Sequence, residues 1–464
     1  MDKHGFDTQA ETRAYWKKKN WYYHKSIEDL VTFMVPGGER VLEIGSGTGD
    51  LLFATNPKRG VGIDINPSMI KIAGERYPSL EWRVMDAAEI SLKERFDYII
   101  LSDVLGLFDD VEDVLQKLGS LSHSRTRVIV TYYNYLWEPL VRLAESFGLK
   151  SKQPLQHWLS EKDIANLLYL SGFEVVKQGK KMMMPFYIPL LSQWINRFFA
   201  NVPFINRFCL VQYLVARPAT TTFQEHTVSI IIPARNEKGN IESAITRLPK
   251  FGVSQELIFV EGHSTDGTLP EIERVVKKHS GTKRVSFAVQ GGKGKGDAVR
   301  KGFSMATGEI LMILDADLTV PPEDLPKFYK AMSCGRGEFI NGSRLVYPME
   351  KQAMRFLNAL ANKFFSLVFS WFLGQHIKDT LCGTKVLFRA DYERIARGRP
   401  YFGDFDPFGD FDLLLGAAKL NLKIVDLPIH YRERTYGSTN ISRFRHGWLL
   451  LKMCLFAARK LKLQ

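Results

Sequence analysis

Ile310-Leu311-Met312-Ile313-Leu314 is apolar at every position and stops at Asp315-Ala316-Asp317. A strand without a polar face has no solvent side, so it belongs inside a parallel sheet covered by helices. The two-residue period of a strand then carries both carboxylates out on one face where the strand ends. Hard cations such as Mg2+ or Mn2+ take oxygen ligands and bridge to substrate phosphates. A strand-end Asp-x-Asp is therefore a seat for a metal-bound nucleotide diphosphate. A solvated turn capping the strand is the alternative that this tripeptide leaves open by itself.

The pattern recurs upstream. Val228-Ser229-Ile230-Ile231-Ile232-Pro233-Ala234 reads as a buried parallel strand that ends at Arg235-Asn236-Glu237, with an apolar helical pattern from Ile241. Leu257-Ile258-Phe259-Val260 is a second strand, stopping at Glu261-Gly262-His263-Ser264-Thr265-Asp266-Gly267-Thr268. Open α/β sheets bind ligands outside the carboxyl ends of their strands, so all three polar loops are expected to face one crevice.

With Lys293-Gly294-Lys295-Gly296-Asp297-Ala298 and Ala306-Thr307-Gly308-Glu309 in the same order, these loops resemble the family 2 glycosyltransferases of GT-A fold, from about Val228 onward. The resemblance implies a nucleotide-diphosphate sugar as donor. It places Pro233, Arg235, Glu237, Glu261, Asp266 and Lys295 around the nucleotide, and Asp315 and Asp317 on the metal diphosphate. Glu261-Gly262-His263-Ser264 stands where that family usually has Asp-Asp-Gly-Ser. Further on, Gly342-Ser343-Arg344, Arg355 with Asn358, Asp379-Thr380-Leu381-Cys382-Gly383 and Tyr431-Arg432-Glu433-Arg434-Thr435-Tyr436-Gly437-Ser438-Thr439 look like dolichyl-phosphate mannosyltransferases and related polyprenyl-phosphate glycosyltransferases. In that likeness Arg344, Arg355 and Arg434 hold the lipid phosphate, and Asp412 falls at an acidic position of the family.

A phosphate acceptor suits the chemistry. Its monoester oxygen, with a second pKa near about 6, is already anionic at neutral pH and needs placement and cationic screening more than a base. A hydroxyl acceptor needs a base, for which Asp410 and Asp412 in Phe408-Gly409-Asp410-Phe411-Asp412 are the candidates; a helix N-terminus that favours carboxylates is their structural alternative.

The first half carries a separate signature. Arg40-Val41-Leu42-Glu43-Ile44-Gly45-Ser46-Gly47-Thr48-Gly49 is a strand entering a glycine turn, and Asp64 ends the next strand about 20 residues on. Asp50 stands where a dinucleotide fingerprint wants its last glycine, and an acidic residue precedes the first, which disfavours NAD. From Tyr15 to Pro218 the pattern resembles class I S-adenosylmethionine-dependent methyltransferases. By that resemblance Glu43, Gly45, Gly47, Gly49, Asp64, Asp86 and Ser102 form the S-adenosyl-L-methionine site, with Asp64 on the ribose and Asp86, after Trp82-Arg83-Val84-Met85, beside the adenine. Asp97-Tyr98-Ile99-Ile100-Leu101-Ser102-Asp103 reads as the fourth strand and its loop. No His or Lys falls in a recognisable base motif for methyl transfer.

A chain of 464 residues exceeds one hydrophobic core and fits two α/β units. The expected architecture is two doubly wound domains: a Rossmann-like methyltransferase fold over 1–217, a linker over 218–226 and a GT-A fold over 227–464. Cys209, Cys334, Cys382 and Cys454 have no paired spacing, so neither zinc nor a disulfide framework is expected, and a reducing cytosol is. A formal net charge of +13 calls for an acidic partner. Nucleic acid is disfavoured, because the basic residues form no module with interleaved aromatics. Basic-flanked apolar segments occur instead. Phe356 to Leu373 is interrupted at helical spacing, Trp448 to Leu463 carries Lys452, Arg459, Lys460 and Lys462, and Met182 to Phe208 is rich in Phe and Pro. The first two suit a helix lying in a membrane surface better than one crossing it, the third is expected to cover a substrate or touch membrane, and ordinary core is the alternative for each.

The expected protein is a bifunctional transferase, peripheral at the inner, cytoplasmic face of a membrane. It inverts a sugar from a nucleotide-diphosphate donor onto a polyprenyl-phosphate lipid and moves a methyl group from S-adenosylmethionine. Two alternatives remain: sugar transfer to a saccharide hydroxyl with methylation of the same glycan, and a first half that only binds.

Overall fold

A computed structural model describes residues 15–150, 157–220, 222–346, 356–401, 410–434, 436 and 443–462. The chain forms two compact units that divide between Ala219 and Thr220.

The first unit is built on a seven-stranded sheet of β1 (Arg40–Ile44), β2 (Arg59–Asp64), β3 (Glu81–Val84), β4 (Tyr98–Ser102), β5 (Arg127–Tyr133), β6 (Phe173–Lys181) and β7 (Val211–Pro218). Their spatial order is β3-β2-β1-β4-β5-β7-β6. The first five strands are parallel, and β7 runs antiparallel between β5 and β6. Alternation along each strand feeds two cores. Leu42, Ile44, Ile99 and Leu101 pack on one face, Val41, Tyr98 and Ile100 on the other. Strand order reverses between β1 and β4, so the crevice beyond their carboxyl ends is where a ligand is expected.

In the second unit the sheet holds β8 (Val228–Ala234), β9 (Gln255–Glu261), β10 (Arg284–Val289), β11 (Ile310–Ile313), β12 (Phe339–Ser343), β13 (Lys385–Phe388) and β14 (Ile424–Pro428), in the order β10-β9-β8-β11-β13-β12-β14. Ile310 pairs with Val228 and Ile313 with Ile231, both strands being parallel and buried, as the unbroken apolar run of β11 and that of β8 apart from Ser229 require. The reversal here lies between β8 and β11, and β13 inserts antiparallel to β11 and β12. The α/β architecture is thus as expected, with one antiparallel strand inserted in each sheet.

The apolar helices divide their faces. Helix Phe356–Leu373 buries Phe365, Phe369, Phe372 and Leu373 in the core while Phe364 and Leu367 stay exposed. Helix Arg443–Leu461 buries Met453, Cys454 and Ala457 and exposes Trp448 and Leu455. Among the described residues no helix is long and apolar enough to cross a membrane.

Candidate active sites

In the first unit β1 runs into a turn whose glycines are required by geometry. Gly45, Gly47 and Gly49 all have positive φ. A Cβ on Gly45 would lie 2.4 Å from Val104 Cγ1, and one on Gly49 2.4 Å from Trp82 Cη2. At Gly47 nothing stands within 4 Å of such an atom, so the backbone there is open to a ligand. Asp64, buried at the end of β2, holds the turn: its Oδ2 accepts Gly47 N–H at 2.8 Å and its Oδ1 accepts Asn66 N–H at 2.9 Å. Asp86 is exposed and caps the short helix Ala87–Glu89 by accepting Ala88 N–H. The donor set fits a nucleoside: an open glycine backbone, a carboxylate beneath it and a second carboxylate at the next strand end. Asp50 is fixed by Lys17 at 2.5 Å and Tyr77 at 2.8 Å, which gives the position its own anchoring work.

Glu43 lies under the turn. It is buried, and its carboxylate accepts Leu52 N–H at 3.0 Å, so it braces the helix Asp50–Ala54. Burial pushes its carboxyl up to about 8, against the pull of Lys17 and the Leu52 N–H. A folded-state value above the unfolded one means that the folded protein binds the extra proton. The stability this contributes is complete below about pH 4.5 and is lost as pH rises toward about 8. Melting of the first unit should therefore weaken over that range, by at most about 1.4 kcal/mol per pH unit, and Glu43→Gln should flatten the slope. Thermal unfolding of both proteins at several pH values checks this; a slope that persists in the variant would assign it elsewhere.

Beyond β4, Asp103 adopts φ 56° and gathers a polar cluster. It accepts Tyr23 O–H at 2.5 Å and Thr131 O–H at 3.2 Å, with Ser102 Oγ 3.0 Å from Thr131 Oγ1. Burial first, then the neighbouring Asp103 charge, holds the Tyr23 phenol well above its usual pKa, so it remains a donor. Tyr23 was not among the residues singled out in the sequence, and Asp103 stood there only as the loop after the fourth strand.

Around the second crevice the strand-end loops are laced together. Asp315 Oδ1 is 2.6 Å from Lys295 Nζ, at the start of helix Lys295–Met305. A Cβ on Gly383 would fall 1.9 Å from Asp315 Oδ2, so the loop after Asp379 closes directly on this pair. Asp317 Oδ1 accepts Thr319 N–H at 3.1 Å and O–H at 2.9 Å, while its Oδ2 accepts Arg434 Nη2 at 2.6 Å. Arg434 Nη1 donates to Glu237 Oε1 at 2.9 Å, and Asn240 donates to Glu237 Oε2 at 2.8 Å. Burial raises the Glu237 carboxyl above its ordinary value despite Arg434.

The remaining donor-side residues serve their own loop. Glu261 accepts Ser264 N–H at 2.6 Å and His263 N–H at 3.0 Å. Burial would raise its pKa, but these donors hold it below the usual value. Asp266 accepts from Thr268 and, at 3.3 Å, from Tyr436 O–H. Pro233 is half-buried in β8 and Arg235 exposed beyond it.

The acceptor-side expectations fare differently. Arg434, expected to contact only an acceptor phosphate, joins Glu237 and Asp317, two carboxylates expected on the donor side, because closely spaced partly buried charges demand a counter-charge. Arg344 gives its fork to Asp379, at 2.7 and 2.8 Å, and lies over the Tyr431 ring. Asp412 accepts Arg399 Nε at 2.8 Å. Arg355 and the side chain of Asp410 lie outside the described residues. Among the described residues no three carboxylate, His or Cys ligands gather around one metal position. Asp315 and Asp317 thus fit a hard cation only as partial ligands, with phosphate oxygens and water completing the shell.

Residues 229–396 match the family described as glycosyl transferase family 2, and residues 17–178 match the family described as methyltransferase domain. The dolichol-phosphate mannosyltransferase of Saccharomyces cerevisiae is 38% identical over 109 residues, 22% of this chain and 40% of that protein. That of Pyrococcus furiosus is 28% identical over 238 residues, 48% of this chain and 64% of that protein. The matched part of this chain thus spans less than two thirds of either relative. A solved S-adenosylmethionine-dependent methyltransferase of Thermotoga maritima, titled a possible histamine N-methyltransferase, aligns with TM-score 0.37 and 16% identity over 46% of this chain and 98% of that one. The first unit is thus similar to the methyltransferase-domain family and the second to glycosyl transferase family 2, the two standing in tandem in one chain.

Proposed function

We propose that the second unit transfers a sugar, with inversion, from a nucleotide-diphosphate donor to a polyprenyl phosphate, and that the first transfers a methyl group from S-adenosylmethionine. The observation that carries the sugar reading is the convergence of Lys295, Asp315, Asp317, Glu237 and Arg434 at the β8/β11 reversal. Lys295 supplies positive charge where a diphosphate leaving group develops negative charge. Asp317 and Asp315 would hold a divalent cation, which, when bound, supplies Lewis-acid stabilisation of that leaving group. Arg434 spans the donor carboxylates with a guanidinium whose planar donors also suit phosphate.

A phosphate acceptor is favoured over a hydroxyl because one of the two base candidates, Asp412, is engaged by Arg399. Sugar nucleotide labelled in the sugar, incubated with the protein and polyprenyl phosphate, should give label that extracts into organic solvent. Asp412→Asn should keep activity within about tenfold of the unmodified enzyme, since an ionised phosphate oxygen needs no base. Label found only in the aqueous phase, together with an inactive but folded Asp412→Asn, would replace this reading by the hydroxyl-acceptor one.

In the first unit the polar cluster of Tyr23, Asp103 and Thr131 borders the glycine turn through Val104, where a methyl acceptor would meet the cofactor. Tyr23 holds a proton and Asp103 accepts it, an arrangement able to orient a polar acceptor.

A further inference from the structure

Soluble helices bury their apolar side chains; the helix Leu191–Phe198 leaves most of its own exposed and buries Ser192 instead. Two polar side chains point inward. Ser192 is fully buried, donating to Phe186 O at 2.7 Å and accepting Ile188 N–H at 2.8 Å. Asn196 accepts Met183 and Met184 N–H at 2.7 and 2.9 Å and donates to Tyr22 Oη at 3.1 Å. Leu191, Trp194 and Phe198 are exposed, together with Gln193 and Arg197, and Ile195 is half-buried.

The turns on either side extend the inversion. Leu190 and Phe204 have φ 66° and 69°, a region that bulky L-residues rarely enter. They are also 82% and 77% exposed, more than any other large apolar side chain among the described residues. The turn at Leu190 is closed by Leu191 N–H donating to Pro189 O at 2.7 Å. Backbone strain here presents apolar side chains to solvent instead of burying them. A concentration of exposed apolar side chains of this kind within one short segment marks an interaction site.

Charge selects the occupant. Between Glu174 and Glu225 the sequence contains no Asp or Glu, and Arg197 and Arg207 stand exposed beside the apolar residues. Arg207 donates to Phe204 O at 2.9 Å, with its guanidinium near the Phe204 ring. Trp and Phe at the water boundary, flanked by arginines and free of carboxylates, match the interface of an anionic bilayer. We propose that this segment, Phe186 to Phe208, is a membrane-docking surface by which the first unit sits on anionic lipid. The proposal is independent of the sugar acceptor.

Flotation of the full chain with phosphatidylcholine vesicles containing about 30% phosphatidylglycerol tests it, against the double variant Leu190→Gly, Phe204→Gly. Glycine accepts positive φ, so the variant should melt at the same temperature or higher. Its partitioning onto vesicles should fall about tenfold or more, from the loss of two apolar side chains. Binding should also weaken in high salt and on phosphatidylcholine alone. Unchanged partitioning of the variant overturns the proposal, and so does a marked loss of its melting temperature, which would make these side chains folding contacts. Sedimentation without vesicles supplies the last arm: an unmodified dimer that the double variant dissociates would assign the surface to a second copy of the chain. Sugar transfer to a short, water-soluble polyprenyl phosphate, measured without vesicles, should be equal in both proteins and reports separately on the reaction proposed above.

Discussion

Asp317→Asn is expected to slow sugar transfer by about two orders of magnitude, roughly 3 kcal/mol in the barrier, while leaving the fold intact. The side chain keeps its shape, and an amide oxygen can still accept the Thr319 N–H and O–H that Asp317 Oδ1 now accepts. What disappears is the charge that faces Arg434 at 2.6 Å and would face a cation carrying the donor diphosphate. Arg434 would then lose one of the two carboxylates it joins, so the proposed donor pocket would lose charge balance as well as a proposed metal ligand. Initial rates of label transfer at saturating donor, with a melting curve to confirm folding, decide the matter. Asp317→Asn retaining full activity in the presence of a chelator would remove both the residue and the metal from the mechanism.

Much of this site could be read from the sequence because its residues end buried strands. Ile310 to Leu314 and Val228 to Ile232 have no polar face, which fixes them as interior parallel strands and delivers Asp315, Asp317 and Glu237 to one edge. The inserted antiparallel strands β7 and β13 were not legible as antiparallel, since a buried strand has the same period and composition whichever way it runs. Long-range partners were hidden for a different reason. Arg434 and Glu237 are 197 positions apart, and Tyr23 and Asp103 are 80 apart, so their pairing is a product of packing and leaves no local pattern. At Arg344 the motif position left the protein partner unread. The same guanidinium that would suit a phosphate is satisfied by Asp379, whose fully buried carboxylate could not stand alone. The apolar helices were ambiguous because an apolar stripe reads alike whether it meets a core or a bilayer. Phe369 and Leu367, two positions apart in one helix, are fully buried and 73% exposed.

Asp64→Ala should raise the dissociation constant for S-adenosylmethionine by at least about a hundredfold. Asp64 works through both oxygens: Oδ2 holds the Gly47 N–H and Oδ1 the Asn66 N–H, in a buried setting at the end of β2. Removing it leaves two backbone donors without their acceptor and releases the turn whose open side, at Gly47, would receive the ligand. Each charge-assisted hydrogen bond lost in such a site costs about 1.5–3 kcal/mol, and a total near about 3 kcal/mol is two decades in affinity. Asp64→Asn separates scaffold from contact. Its carbonyl can accept one of the two N–H groups but brings an amine toward the other, so the turn is half-supported, and binding should fall to an intermediate level. Titration calorimetry of the full chain with S-adenosylmethionine, repeated for both variants, measures the series. Equal affinity in all three proteins would place the cofactor elsewhere. An unmodified protein that binds no cofactor at all would leave the glycine turn and the Tyr23–Asp103 pair as parts of a unit that binds something other than S-adenosylmethionine.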